Sequence, residues 1–407
     1  MAFLSTNILI IAFWALLFIV FYSYVGYGIL LGLLVKLKKT PPSPLSNIPD
    51  ADLPKVTFMV AAYNEERWIE DKIRNSLALD YPKNKIHFVF VTDGSTDSTP
   101  DKVINFPNPE GYKIELFHQP ERRGKIAAVE RVMPFVHTPI VVFTDANTDL
   151  NPEAVWKMVR HYADPTVGAI AGEKRVEMSS VASGAGEGIY WKYESLLKKW
   201  DSQLYSAVGA AGELFSVRTD LYEPVEKDTL IEDFVMTMRI AKRGFRIVYD
   251  AEAYAVEGHS ADVKEELKRK IRISAGGLQA VWRLRSLLNP FKYGVLSFQY
   301  WSHRVLRWTL APLALPLIFL FNWLILRGPS DAENAGFGHT IYNVLFGLQI
   351  VFYAAALLGW IFEQMKLKVK AFYVPYYFCM MNYSVYRGLG RLIAGSQSVV
   401  WEKSKRA

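Results

Sequence analysis

Cysteine is almost absent from this chain of 407 residues, since Cys379 is the only one. A single cysteine excludes disulfides and cysteine-based zinc sites within one chain. No internal repeat or low-complexity tract is apparent. At this length the chain is too long for one small domain.

Charge is missing from residues 8–35. At about 1.5 Å per residue, a helix of this length crosses a hydrocarbon core of roughly 30 Å. A signal peptide is the competing interpretation, but its apolar core spans about 7–15 residues before a small-residue cleavage site. Lys36, Lys38 and Lys39 follow directly, and basic residues stay in the cytoplasm. We therefore expect residues 1–36 to be a membrane anchor whose N-terminus lies outside.

Acidic residues are fewer than basic ones, and the net charge is +7 with a pI near 9.1. The basic residues lie around apolar segments rather than in one patch, which fits a phospholipid membrane better than nucleic acid. The same placement suits a phosphorylated lipid substrate. The basic stretches are Lys36–Lys39, Lys264–Arg285, Lys366–Lys370 and Lys403–Arg406.

The C-terminal third is apolar again. Residues 288–308 mix aromatic and basic side chains, as an interfacial helix does. In the membrane region expected at 309–407, Leu310–Leu326 and Ile341–Phe362 are two spanning candidates. Ala371–Gly395 is interrupted by polar residues, and a third crossing would put the basic tail outside. We therefore expect this last segment to lie in the interface or to re-enter. The interrupting residues are Asn382, Arg387 and Arg391.

Between these regions, a linker at 37–53 containing Pro41, Pro42 and Pro44 precedes a domain expected at 54–287. Strand-like runs there alternate with helix-compatible stretches at 65–79, 98–105 and 125–133. Such alternation predicts an α/β domain whose mostly parallel sheet binds ligands beyond the carboxyl ends of its strands. The runs are Val56–Ala61, His87–Thr92, Ile114–His118 and Ile140–Thr144.

Acidic turns follow two of these strands. Asp93 opens a Gly-Ser-Thr turn and can accept hydrogen bonds from a base or a ribose, while Gly94 lets the backbone come close to a ligand. An ordinary turn that ends a strand is the alternative. Asp145 and Asn147 can offer two oxygen ligands to Mg²⁺ or Mn²⁺ holding substrate phosphates, with Asp149 as a possible third. Taken alone, an Asp-x-Asn pattern also occurs by chance.

Three further elements carry charge that suits phosphate or proton transfer. Lys125 opens a helix, where backbone N–H groups favour phosphate, although a solvated surface lysine is equally compatible. Asp233 precedes an amphipathic stretch and is a candidate general base or, alternatively, a helix-capping charge. Arg269 and Arg272 can grip a diphosphate opposite Lys125 or face lipid.

These elements in this order resemble membrane-bound family-2 glycosyltransferases, the group that contains cellulose, chitin, hyaluronan and poly-N-acetylglucosamine synthases. The resemblance covers residues 54–285. Ala62-Tyr63-Asn64-Glu65 is similar to their Pro-x-Tyr-Asn-Glu segment, and Asp93-Gly94-Ser95-x-Asp97 to their Asp-Asp-Gly-Ser-x-Asp turn, with Thr92 at the first Asp. Asp145-Ala-Asn147 resembles their Asp-x-Asp metal motif, and Glu232-Asp233 their Thr-Glu-Asp motif.

The resemblance implies a Rossmann-like GT-A domain in the cytoplasm beside α-helical transmembrane segments, in a multi-pass protein of the plasma membrane. It implies that Asp233 is the base and that Ala62, Tyr63, Asn64, Glu65, Asp93, Lys125, Asp145, Arg269 and Arg272 bind the donor. Asp145 and Asn147 would hold the metal. The implied reaction is inverting transfer of a hexose from a nucleotide sugar, expected to be UDP-linked, to a membrane-associated glycan or lipid-linked acceptor in bacterial-type surface polysaccharide synthesis.

The last motif departs from the family. Arg269-x-x-Arg272-Ile273 stands where the synthases carry Gln-x-x-Arg-Trp, whose Trp helps hold the growing polymer. Single transfer to a polyprenyl-phosphate or other lipid carrier is therefore the alternative. A transporter would not explain a charged α/β domain of this size. A nucleotidyltransferase would need a Gly-rich loop where Ala61-Ala62-Tyr63-Asn64 stands.

Overall fold

The computed structural model describes residues 2–38, 48–108, 110–176, 182–258, 263–328, 337–365, 367 and 369–395. The three linker prolines and the basic tail Lys403–Arg406 lie outside this part of the chain. The statements below concern the described residues.

An eight-stranded sheet forms the centre of the large domain, with the order β3-β2-β1-β4-β7-β6-β8-β5. Strands β1 to β4 are the four predicted runs, and they pair in parallel, which confirms that part of the prediction. β7 pairs antiparallel with β4 and β6, and β5 pairs antiparallel with β8. The strands are β1 Val56–Ala62, β2 Ile86–Asp93, β3 Lys113–Gln119, β4 Ile140–Asp145, β5 Thr148–Leu150, β6 Val167–Val176, β7 Leu214–Arg218 and β8 Arg246–Glu257.

Helices cover both faces of this sheet, which is why β1, β2 and β4 are buried along almost their whole length. The strand ends are level, because Ala62 pairs with Thr92 and Ala61 pairs with Asp145. Side chains just beyond β1, β2 and β4 therefore meet at one edge. The helices of the domain are α3 Ile69–Leu77, α4 Thr99–Ile104, α5 Lys125–Val132, α6 Ala154–Val159, α7 Ala182–Leu204, α8 Glu232–Lys242 and α9 Val263–Arg283.

Sequence patterns missed strands β5 to β8 and the long helix α7. The buried side of α7 carries Glu194, Lys198 and Asp201 beside Leu197, so apolar residues do not recur with a helical period. In β8, a register shift interrupts the pairing with β6. An irregular strand of this kind gives a weak alternation signal.

Three segments are long and apolar enough to cross a membrane: Asn7–Leu37, Leu310–Arg327 and Thr340–Gln364. The first two pack together through Phe13, Ala314 and Ile318. The helices of these segments are α1 Ala2–Phe21 and α2 Tyr27–Leu37, joined by the π-helical turn Tyr22–Gly26, followed later by α12 Leu310–Arg327 and α13 Phe337–Gln364.

The last helix, α14 Lys370–Ile393, is not among the three candidate spans. It packs closely on α9, because a Cβ at Gly388 would lie 2.7 Å from the backbone nitrogen of Ala275. Ser274 Oγ and Ser384 Oγ also form a hydrogen bond of 2.8 Å across the two helices. α14 thus joins the apolar tail to the large domain.

The segment predicted as an interfacial helix consists of α10 Pro290–Tyr300, the π-helical turn Trp301–Val305 and α11 Leu306–Trp308. Its two sides differ. Phe291 is fully exposed, whereas Gln299 and His303 are fully buried against the large domain. The buried polar side therefore connects this segment to α7.

Candidate active site

Lys125 lies between two carboxylates at the carboxyl edge of the sheet. Its Nζ is 2.8 Å from Asp145 Oδ1, at the end of β4, and 3.0 Å from Glu232 Oε1, in the first turn of α8. All three side chains are at most 16% exposed, so the charges interact in a largely dehydrated environment. The sequence indicated Lys125 and Asp145 as separate ligands of a phosphate and a metal; the structure places them in contact.

The pKa values show how these three charges act on one another. Burial lowers the pKa of Lys125, but Asp145 and Glu232 outweigh it and raise this pKa above its ordinary value. Burial raises the pKa of Asp145 although Lys125 opposes the change. For Glu232 the opposite balance holds: burial raises its pKa, but Lys125 and backbone hydrogen bonding bring it below the ordinary value. Lys125 thus keeps Glu232 more acidic than usual but does not offset the burial of Asp145, on which Glu213 and Glu257 also act.

Asp233, next in the first turn of α8, has the most altered acidity in this group. Burial, followed by the negative charge of Glu232, raises its pKa from 3.8 to about 7, although Lys125 acts in the opposite direction. A Cβ at Gly212 would lie 3.5 Å from both Asp233 Oδ2 and Lys125 Nζ. Gly212 therefore lies beside both the carboxylate and the ammonium, and a Cβ there would be in ordinary contact with each. A carboxylate that titrates near neutral pH can accept a proton from a bound hydroxyl.

Asp93, at the end of β2, shapes a second and smaller pocket. Its Oδ2 accepts hydrogen bonds from the backbone nitrogens of Arg123 (2.8 Å) and Gly124 (2.6 Å). Its Oδ1 is buried without a hydrogen-bond partner among the described residues. Gly94 has φ +69°, and a Cβ there would lie 2.5 Å from Arg122 Cβ. The unsatisfied oxygen of Asp93 can accept a hydrogen bond from a ligand.

The wall of this pocket comes from the predicted Tyr-Asn-Glu segment. Tyr63 lies under the guanidinium of Arg122, 3.6 Å from the ring centre. Asn64 Oδ1 accepts from the backbone nitrogen of Thr96 at 2.8 Å, and the backbone nitrogen of Glu65 donates to Thr99 Oγ1 at 2.8 Å. These bonds hold the turn after β1 against the turn after β2. Ala62, Tyr63, Glu65 and Asn147 also line the pocket.

The candidate metal ligands are fewer than the motif implies. Asn147 Nδ2 lies 3.5 Å from Glu257 Oε1, at the end of β8, and Asp149 lies on β5 with its side chain exposed. Within the described part of the chain, no group of three His, Cys, Asp or Glu residues could hold a metal ion. The motif thus offers two oxygen donors, Asp145, which contacts Lys125, and Asn147, which lies beside Glu257.

A second charged network, which the sequence did not indicate, borders the site. Lys174, on β6, forms ion pairs with Glu213 and Glu257, and Arg269 Nη1 is 3.5 Å from Glu257 Oε2. Glu213 reaches this edge because it precedes β7, which runs opposite to β4. Glu213 precedes an antiparallel strand, and Glu257 ends a strand that runs the other way. The two acids therefore lie at the same edge of the sheet. Neither strand was predicted, so neither acid was found.

One large cavity of about 1370 Å³ connects these groups to the apolar tail. Lys125, Asp145 and Asp233 of the large domain line it together with Tyr24 and Asn382 of the apolar helices. Arg269, Arg272 and Ile273 also line the cavity. The motif that differs from the synthases therefore faces the same space as the candidate base. Burial lowers the pKa of Arg272, and Glu232 is the largest influence in the opposite direction.

Comparison with known proteins identifies the class of the domain. Residues 57–225 match the model of glycosyl transferase family 2. The chain is 28% identical over 240 residues to the poly-beta-1,6-N-acetyl-D-glucosamine synthase of Staphylococcus aureus (strain COL), and 23% identical over 235 residues to that of Staphylococcus epidermidis. The aligned region covers 57% of this chain and 57% of the S. aureus protein, so the chain spans little more than half the length of this curated relative.

The fold agrees with that class. The mannosyltransferase PcManGT from Pyrobaculum calidifontis, solved with GDP-Man and Mn²⁺, superposes with a TM-score of 0.71 at 22% identity. The match covers 96% of this chain and all of that one. The predicted GT-A architecture beside apolar helices is confirmed. The large domain of this chain is thus similar in sequence to glycosyl transferase family 2 over residues 57–225.

Proposed function

We propose that this protein transfers a sugar from a nucleotide sugar to a membrane-associated glycan or lipid-linked acceptor, with inversion at the anomeric carbon. One observation carries the proposal: Asp145, Glu232 and Lys125 are in direct contact beside Asp233, whose pKa is raised to about 7. The site opens into a cavity that reaches the apolar helices. The match of residues 57–225 to glycosyl transferase family 2 supports nucleotide-sugar transfer.

The donor would bind across the carboxyl edge of the sheet. Asp93 Oδ1 is suited to a base or ribose hydroxyl, because it is buried without a partner among the described residues. Lys125 and Arg272 would face the diphosphate, where their positive charge offsets the charge that develops on the leaving group. The relatives' name favours an N-acetylglucosamine donor, hence a UDP-sugar, while the complex of PcManGT makes GDP-mannose the second donor to test.

A divalent metal fits this donor set. Asp145 is a buried carboxylate whose pKa stays raised beside Lys125, so added positive charge would be favoured there. Mg²⁺ is usually held by one or two carboxylates together with substrate phosphates and water, so Asp145 and Asn147 would suffice once a diphosphate is present. The ion would supply charge neutralisation at the departing diphosphate. PcManGT was solved with Mn²⁺, which supports testing that ion first.

Asp233 would act as the base. Its carboxylate takes the proton of an acceptor hydroxyl as that oxygen forms a bond to the anomeric carbon. The bond between the anomeric carbon and the diphosphate breaks on the opposite face, and the nucleoside diphosphate leaves. A single displacement of this kind converts an α-linked donor into a β-linked product. Gly212 leaves room beside Asp233 for the acceptor.

Two acceptor types remain in the proposal, a growing glycan and a lipid carrier that receives one sugar. The match to polysaccharide synthases supports the glycan. The presence of Ile273, an aliphatic residue in the cavity wall, supports the carrier, because the synthases place Trp at that position.

The catalytic domain would face the cytoplasm at the plasma membrane. With three crossings, at Asn7–Leu37, Leu310–Arg327 and Thr340–Gln364, an N-terminus outside places residues 38–309 and everything after residue 364 inside. The basic tail Lys403–Arg406 then also lies inside, as the positive-inside tendency requires. An α14 that stays on the inner side is consistent with this arrangement.

The test uses the purified full chain in detergent with a panel of nucleotide sugars, membrane lipid extract as acceptor, and released nucleoside diphosphate as the readout. We expect turnover with one donor class and a fall of about 10²–10⁴-fold in Asp233→Asn, the usual contribution of a general base. Donor affinity should be retained in that variant. Equal losses of affinity and turnover would instead make Asp233 a binding residue.

A further inference from the structure

Lys198 on α7 is a buried cation that the proposed chemistry does not use. Lys198 is only 5% exposed, yet it lines the large cavity. No described residue forms a hydrogen bond or an ion pair with its ammonium, whose nearest recorded partner is the ring of Tyr249 at 5.9 Å. Buried charges in proteins are usually paired, so an ammonium in this state is suited to a ligand with negative charge.

The acid one turn before Lys198 is already paired with other side chains. Glu194, one turn earlier on α7, lies 2.6 Å from Arg304, 3.2 Å from Arg307 and 3.1 Å from His303. These partners bring its pKa well below the ordinary value in spite of burial. Glu194 therefore has little capacity left to neutralise Lys198.

The acids around Lys198 act on its ammonium from a distance only. Besides Glu194 they are Glu213 and Glu173, which raise the pKa of Lys198 without contacting it, while Asp201 of the same helix is bonded to His303 and Tyr27. Burial lowers the pKa of Lys198, and Arg304 acts in the same direction against Glu194. A bound anion would relieve both effects.

The position of the cluster indicates where the anion comes from. Arg307 Nε donates to the backbone oxygen of Ser23, in the π-helical turn of the first candidate span, at 2.9 Å. Tyr24 of the same turn donates to Asn382 Oδ1 on α14, and both residues line the cavity. Arg307 therefore connects the cluster to the apolar helices that line the cavity. A diphosphate would instead contact Lys125, which is not part of this cluster.

We propose that Lys198 and Arg304 form a second anion site, which binds the phosphate group of a lipid-linked acceptor. This inference rests on the proposed function and specifies its acceptor. A neutral glycan offers hydroxyl groups, which carry no charge to offset the buried ammonium of Lys198, whereas a phosphate supplies opposite charge and several acceptor oxygens. The apolar helices beside Tyr24 would take the hydrocarbon chain.

The experiment measures binding and needs no turnover. Full-length protein in an uncharged detergent is titrated with farnesyl phosphate, farnesol and inorganic phosphate as separate probes. The variants are Lys198→Gln, Lys198→Arg and, as a matched control, Lys199→Gln, whose side chain is exposed on the neighbouring position of α7. Binding of a nucleoside diphosphate is measured in every variant to establish that the sheet edge is intact.

We expect wild type to bind farnesyl phosphate more tightly than farnesol, and Lys198→Gln to lose at least about tenfold, the worth of one charge-assisted hydrogen bond. Lys198→Arg and Lys199→Gln should stay within about threefold of wild type, a difference too small for a lost charge-assisted bond. Equal affinity for farnesyl phosphate and farnesol in wild type would overturn the site, whatever the variants do. Inorganic phosphate that binds as tightly as farnesyl phosphate would overturn the lipid assignment. Lys198-dependent binding without sugar transfer from any donor would uphold this site and reject the proposed function.

Discussion

The acidity of Asp233 gives a direct prediction for the pH dependence of transfer. A general base works only when ionised, and the pKa of this carboxyl is about 7 rather than 3.8. The ionised fraction is about nine in ten at pH 8, about one in ten at pH 6 and about one in a hundred at pH 5. The kcat/KM value should therefore fall about tenfold per pH unit below pH 7. An ordinary aspartate would leave the rate nearly constant down to pH 5.

Two neighbours of Asp233 should shift the acid limb of the profile, the fall of kcat/KM below pH 7, in opposite directions. Glu232 raises the pKa of Asp233, so Glu232→Gln should shift the limb to lower pH. Lys125 lowers that pKa, so Lys125→Met should shift it to higher pH and also weaken donor binding. Glu223→Gln removes an acid that is 51% exposed and pairs with Arg243, and it should leave the limb in place.

The assay is the initial rate of nucleoside diphosphate release at low donor concentration, measured between pH 5 and pH 9 at constant ionic strength. Because kcat/KM reports the free enzyme, the limb belongs to the site without donor. A flat profile from pH 5 to pH 8 would refute the reasoning, as would movement of the limb in the same direction for Glu232→Gln and Lys125→Met.

The raised pKa of Asp233 also makes the stability of the native state depend on pH. A raised pKa means that the native state favours protonated Asp233, so its contribution is most favourable below pH 3.8 and is lost as the pH rises to about 7. A shift of about three units corresponds to at most about 4 kcal/mol at 1.36 kcal/mol per unit. Asp233→Asn should therefore melt at a higher temperature than wild type at pH 8, and this difference should narrow towards pH 5. A lower melting temperature at pH 8 would contradict the direction.

Three further predictions concern the metal, the product and the membrane. Asp145→Asn should abolish Mn²⁺-stimulated turnover without loss of expression, whereas Asn147→Asp should reduce the Mn²⁺ concentration required; full wild-type activity in excess chelator would oppose both. Ile273→Trp should lengthen the product if this position limits elongation, as judged by mass spectrometry of the glycan; long products already present in wild type would remove that role. In a Cys379→Ser background, Ser95→Cys should be labelled by an impermeant maleimide only in opened cells, and labelling of intact cells would reverse the orientation.

Much of the donor site was predictable because it depends on local sequence. A strand followed by an acidic turn is a short pattern, and parallel strands bring such turns to one edge. The level ends of β1, β2 and β4 show this, since Asp93 and Asp145 follow strands that were each predicted separately. The apolar spans were predictable for a similar reason, because length and lack of charge are read within one segment.

The metal motif shows the limit of that approach. The sequence places Asp145 and Asn147 two residues apart, which suits a cation, but it does not show that Lys125 already contacts Asp145. Whether a metal adds to the lysine or displaces it depends on the charges that surround them both. Those charges include Glu232, which reaches the lysine from a helix far along the chain.

The sequence by itself determined the class of the domain, its four parallel strands, the candidate base and the candidate spans, because each depends on residues close together in the chain. Only the tertiary structure decided which charges meet. It reversed β7 so that Glu213 reached the edge of β4, and it buried the charged side of α7 so that Lys198 and Glu194 faced the cavity. Long-range packing sets the dehydration and the neighbours of each charge, and these in turn set its pKa and its available partners.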